Sequence, residues 1–276
     1  MPRHKVLHSP RIARKKRKEK KVRILLYATA LVVLVGAGLY ALSLPELLIQ
    51  DISFAGVSPI PEKDIARVVE SQLKGRVAFV FPRASALFFS RTATEKILLE
   101  SFPVLQSADV SVKNLASVIV SVVPRGAVAR WCAFSDTLLE SCIMVDQTGF
   151  AFNGDPFENG STLPKISDRS ATSSPIAGTY LVHESRLASL LSLFQGLHML
   201  SLETDTMELY SEGEVKIVLA NGGQIFLRED GEFESELDRL DTLLSEQNLI
   251  SRGDNGLRVE YIDLRYGNKV YFIPRQ

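Results

Sequence analysis

The chain is short of the residues with which proteins do chemistry. It holds four histidines in 276 residues. His4 and His8 stand in a basic N-terminal stretch, while His183 and His198 lie fifteen residues apart, and His183-Glu184 lacks the second His four residues on that a zinc-protease helix requires. A Gly-rich phosphate loop and a G-x-S-x-G elbow are both missing. Acids are plentiful, but carboxylates on an exposed helix face are ordinarily just solvated. No catalytic, cofactor or metal residues are therefore expected, and no small-molecule substrate. Cysteine is as scarce. Cys132 and Cys142 have nine residues between them, too many for a CxxC redox pair, and are read as lacking the neighbours of a zinc site. Two readings stay open for them. They form a disulfide, which an oxidising compartment permits, or they are two free thiols.

Charge is missing where it matters most. Residues 24–44, ILLYATALVVLVGAGLYALSL, contain no Asp, Glu, Lys, Arg or His. A helix of that length reaches about 31 Å, one hydrocarbon core. Before it stand eleven Lys and Arg against a single acid, Glu19. Positive charge stays on the cytoplasmic side, so the N-terminus is predicted inside and residues 45–276 outside. A signal peptide has a shorter apolar run, which favours an uncleaved single-pass anchor. Of 32 Lys and Arg, 11 precede Ile24, leaving 21 beyond it against 31 acids, a net of about −10. That balance argues against nucleic acid as a partner of the exterior part. The basic tail reads as a topology signal with attraction for anionic lipid headgroups.

Along the chain, residues 1–23 are expected to be disordered. Residues 47–54 alternate as a strand, 62–73 repeat apolar residues at helical spacing, and 76–89 are apolar without a clear period. Thr92 and Glu95 have the form of a capping box opening a helix that Pro103 closes. Residues 105–113 and 117–123 make a β-hairpin. The order strand-helix-helix-strand-strand defines a unit of about 75 residues. From Ala127 the pattern changes to strands with a few helices. Residues 127–134 and 142–146 pair as strands, and pairing antiparallel around residue 137 would bring the two cysteines face to face. Residues 153–175 read as a long loop, 184–200 and 233–244 as helices, and 258–273 as strand. The resulting division is a basic cytoplasmic tail (1–23), a transmembrane helix (24–44), a first domain (49–125) and a mostly β domain (126–276).

Five stretches carry a resemblance. ISFAGVSPIPEKDI (52–65), SFPVLQSADVSV (101–112) and SVIVSVVPRGAVARW (117–131) resemble the POTRA domain of the FtsQ/DivIB family of bacterial cell-division proteins. CIMVDQTGFAF (142–152) is similar to that family's entry to its second domain, and YIDLRYGNKVYF (261–272) to its Asp-Leu-Arg-aromatic segment. Two departures bear on the domain junction: Pro124 and Ala127 replace the family's usual Glu and Pro, while Arg125, Val128 and Ala129 keep its pattern. The resemblance implies an α+β POTRA domain followed by a β domain on the far side of the membrane. It also implies a non-enzymatic divisome scaffold at the septum that binds FtsB-like and FtsL-like bitopic proteins. The partner strand would be Arg265, Tyr266, Gly267, Asn268, Lys269, Val270, Tyr271 and Phe272, which offers an edge for β-augmentation. Two other classes stay open: a POTRA-bearing envelope assembly or secretion factor, and a membrane-anchored envelope enzyme.

Overall fold

In the computed structural model of the chain, the described residues are 10–42, 48–56, 59–77, 81–134, 140–154, 163–229, 233–245, 252–253, 256–267 and 269–275. Helix α1 (Pro10–Leu42) starts well before the apolar run. Residues 10–23, expected to be disordered, are thus helical. Lys, Arg and Glu lose little rotamer freedom in a helix, Pro10 needs no N–H at its first position, and the apolar helix ahead supplies the nucleus. Within α1, Lys20–Gly38 has a mean hydropathy of 1.7 and is unburied, long and apolar enough to cross a membrane.

The chain divides into two compact units, residues 1–98 with 108–122, and residues 99–107 with 123–276. Beyond α1 the first part of the chain runs β1 (Asp51–Ala55), α2 (Glu62–Leu73), β2 (Arg76–Val77), β3 (Phe81–Pro82), α3 (Arg91–Ser101), β4 (Leu105–Lys113) and β5 (Ser117–Pro124). Its sheet has the order β1-β5-β4, with β1 parallel to β5. β5 buries Val118, Val120 and Val122 and half-exposes the residues between them, so one face of the strand is core. α2 contributes Ile65 and Val69 and α3 contributes Leu98. The β4–β5 turn puts Asn114 (φ 53°) and Leu115 (φ 59°) in the left-handed region, the twist that a two-residue hairpin requires. The capping box does not form. α3 begins before Thr92, and Glu95 Oε1 accepts the Val110 N–H of β4 at 3.0 Å. β4 is an end strand whose outer N–H groups need partners, and Glu95 supplies one.

The second unit continues through β6 (Ala129–Phe134), β7 (Glu140–Val145), β8 (Ala151–Phe152), β9 (Lys165–Asp168), α4 (Glu184–Met199), β10 (Thr204–Leu209), β11 (Glu214–Leu219), β12 (Gln224–Arg228), α5 (Phe233–Ser245), β13 (Arg252–Gly253), β14 (Gly256–Leu257), β15 (Val259–Tyr266) and β16 (Lys269–Pro274). One sheet of nine strands has the order β16-β15-β12-β11-β10-β9-β6-β7-β8. β13 and β14 form a separate small pair. Registers align Phe272, Ile262, Ile225, Ile217, Met207, Ile166, Trp131 and Ile143 in a transverse row. All but Phe272 are buried, and Phe272 packs against the same core. The adjacent row, on the opposite face, reads Tyr271, Asp263, Phe226, Lys216, Glu208, Ser167, Cys132 and Cys142.

Two helical crossovers explain this polarity. β9-α4-β10 and β12-α5-β15 each join neighbouring parallel strands, and both step toward β16. With strands pointing the same way, one handedness of crossover puts both helices on one face. α4 and α5 do pack together, at Gly196, where an added Cβ would stand 2.2 Å from Leu237 Cδ1. β9 lies inside the stretch read as a loop. Lys-Ile-Ser-Asp is too short to show a period, and only its two parallel neighbours make it a strand.

Candidate functional site

The eight residues expected to bind a partner are not one strand. They are the β15–β16 hairpin: Arg265 and Tyr266 end β15, Gly267 (φ 59°) turns, and Lys269–Pro274 returns as an end strand of the sheet. Asn268 lies outside the described residues. Arg275 donates its N–H to the Arg258 carbonyl at 3.2 Å, so by alternation positions 270 and 272 turn their N–H groups away from β15. Tyr266 and Tyr271 are 58% and 49% exposed and meet edge to face, with centroids 5.4 Å apart. Ile273, 42% exposed, extends their surface, and Lys269 is exposed beside it. Ile273 was missed in the sequence reading, although alternation from Tyr271 points to it. Val270 and Phe272 instead face inward and pack against the core.

Arg265 was expected to meet acids on a partner. Its guanidinium is occupied within the chain. Nε and Nη2 donate to the two Asp263 oxygens at 2.9 and 2.7 Å, and Nη1 pairs with Glu214. It also lies 5.1 Å from the Phe226 ring centroid. Burial opposes ionisation of Asp263, but the Arg265 side chain, its backbone N–H and its charge outweigh that and hold the carboxyl below its usual value. Arg265 in turn is pushed upward, first by its hydrogen bond to Asp263. The arrangement fixes the hairpin base and leaves the tyrosines as the presented groups.

A second polar centre stands at the start of the unit. Arg125 donates through Nε to the Pro103 carbonyl (3.2 Å), through Nη2 to the Leu105 carbonyl (3.1 Å) and through Nη1 to Asp146, and it stacks 4.2 Å from the Phe150 centroid. Asp146 also accepts from Thr148 Oγ1 (2.6 Å) and from the Thr148 and Phe150 N–H groups. Burial alone would raise the Asp146 pKa, but these bonds hold it low. Gly149 (φ 81°) closes the turn, and an added Cβ would lie 2.1 Å from the Val182 carbonyl oxygen. Both Asp146 oxygens accept bonds, and the pair forms a structural clamp.

Cys132 and Cys142 stand opposite each other on β6 and β7 and are joined, Sγ–Sγ 2.02 Å. Glu140, an acid neighbour that the sequence reading did not count, brings a carboxylate within 4.8 Å of both sulfurs. The sulfurs are bonded to each other, and Glu140 holds Lys165 (2.7 Å) and Ser167 (3.1 Å), so this trio offers no thiolate ligand. A shallow cleft of about 260 Å³ is lined by Trp131, Ala133, Asp168, Pro175 and Leu181 among others. Asp168 there is engaged by Ser170 and Ala171.

The second unit of this α+β chain presents a sheet edge and ion clusters whose charges are paired within the chain. Residues 129–265, from the start of β6 into β15, match the sequence model described as cell division protein FtsQ/DivIB, C-terminal. The chain belongs to the FtsQ/DivIB family, a family of non-enzymatic cell-division proteins. No curated protein matches the chain.

Proposed function

We propose that the protein is a single-pass scaffold of the divisome. Its N-terminus is cytoplasmic, a POTRA domain and β domain project from the far side of the membrane, and it acts at the division septum without catalysis of its own. In this reading the β16 edge accepts a strand from an FtsB-like bitopic protein, with an FtsL-like protein alongside, and the assembly helps control septal peptidoglycan synthesis. The observation that carries the reading is the end strand itself. β16 closes one side of a nine-stranded sheet, turns alternate N–H groups outward, and displays Tyr266, Tyr271 and Ile273 next to them. Backbone pairing would supply affinity, and the tyrosines the rigid contact area typical of interface hot spots.

Three variants test it. Tyr266→Ala and Tyr271→Ala remove exposed contact area, each costing about 2 kcal/mol of binding if the rings are interface anchors. Val270→Pro removes an outward N–H. Because the Val270 side chain packs on the core, Val270→Ala serves as its control. The expected result is reduced co-purification of an FtsB-like partner and blocked division for the Tyr and Pro variants, with Val270→Ala still binding and thermal melts little changed. Binding retained in all four variants would refute the edge as the partner site.

A further inference from the structure

A segment soon after α1 runs against the net charge of the chain beyond it. Residues 74–91 carry Lys74, Arg76, Arg83 and Arg91 and no acid, although the chain beyond α1 is about −10 overall. The same segment turns apolar side chains outward. Leu87 is 66% and Phe88 36% exposed, and Phe88 stacks on Phe81 with centroids 4.5 Å apart. Phe89 is the neighbour that turns inward. A leucine left in solvent beside a stacked aromatic pair adds nothing to the core and marks a contact surface.

The position of this turn says what it contacts. Leu48 bridges Ser85, the Ile49 N–H binds the Ala84 carbonyl at 2.8 Å, and α1 lies against β3. Leu48 follows the last residue of α1, Leu42, by six positions, a reach of at most about 20 Å even if fully extended. Tyr40, near that end of α1 and exposed, is the kind of residue found where a helix leaves the bilayer. The turn is therefore tied to the point at which the chain emerges from its anchor.

We propose that the turn at 83–88 docks on the surface of the membrane that holds α1. Leu87 and Phe88 enter the boundary between headgroups and acyl chains, and Arg76, Arg83 and Arg91 meet anionic headgroups. The proposal rests on α1 as a membrane anchor and is independent of what binds β16.

The test uses the full chain in nanodiscs containing phosphatidylcholine and phosphatidylglycerol. A polarity-sensitive dye is placed on Leu87→Cys and on Phe88→Cys, with Leu115→Cys at the β4–β5 turn as the control. Labelling without reductant leaves Cys132 and Cys142 bonded. At 87 and 88 the emission should shift to the blue and be quenched by lipids carrying an acyl-chain nitroxide, while position 115 does neither. Replacing phosphatidylglycerol with phosphatidylcholine should weaken the quenching. Dyes at both positions as wet and unquenched as at 115, in protein that stays with the discs, would overturn the docking while leaving the anchor intact. A blue shift without lipid quenching would overturn it too, since protein rather than lipid would then cover the turn.

Discussion

Arg125 and Asp146 show how one residue pair can decide the entry to a domain. Their side chains are 15% and 7% exposed, so removing either partner strands a buried charge. Arg125→Met should destabilise the second unit by about 3 kcal/mol or more in urea unfolding. The folded pKa of Asp146 lies below its ordinary value near ~4, so its stabilisation is complete above that value and is lost as pH falls through the folded one. Asp146→Asn should accordingly lower the melting temperature most near neutral pH and progressively less in acid, a difference that thermal scans across pH would read. Gly149→Ala combines a left-handed φ with a carbonyl oxygen 2.1 Å from the new Cβ. The conformation alone costs about 1–2 kcal/mol, and the clash adds to it, so urea unfolding should show a larger loss.

At the scale of elements, what could be read from sequence was whatever repeats locally. α2, the β4–β5 hairpin and α4 follow from local periodicity, and the structure has them within a residue or two of the expected limits. β9 was illegible because its strand character comes from residues about forty positions away on either side. The eight-residue edge was read as one strand because alternation continues through Gly267 and hides a turn. The cysteines belong to this scale, since the β6–β7 register puts Cys132 opposite Cys142. Closing so short a loop should contribute about 2–3 kcal/mol, and alkylation of unreduced protein followed by mass measurement should find no modified thiol. Gly196 is the meeting point of α4 and α5, and Gly196→Val should force the helices apart at a cost of about 1–3 kcal/mol, measurable in the same unfolding assay.

For the whole molecule, eleven cations before the apolar helix against one acid predict which side each end occupies. Protease added to spheroplasts should digest residues beyond 45 and spare the tail, and a mature N-terminus near Ser43 would instead reveal a cleaved leader. The nine-stranded sheet has a consequence for time rather than for stability. β9 cannot be placed until β6 has formed to one side and β10 has arrived on the other, and β15 must wait for α5 to cross back to β12. Pairings of such long sequence separation put refolding of the second unit in the range of roughly milliseconds to seconds. During that interval β10 and β12 are bare templates, open to the strands of any neighbouring chain. An anchor of the kind proposed above would limit how freely nascent copies meet while the sheet is still incomplete.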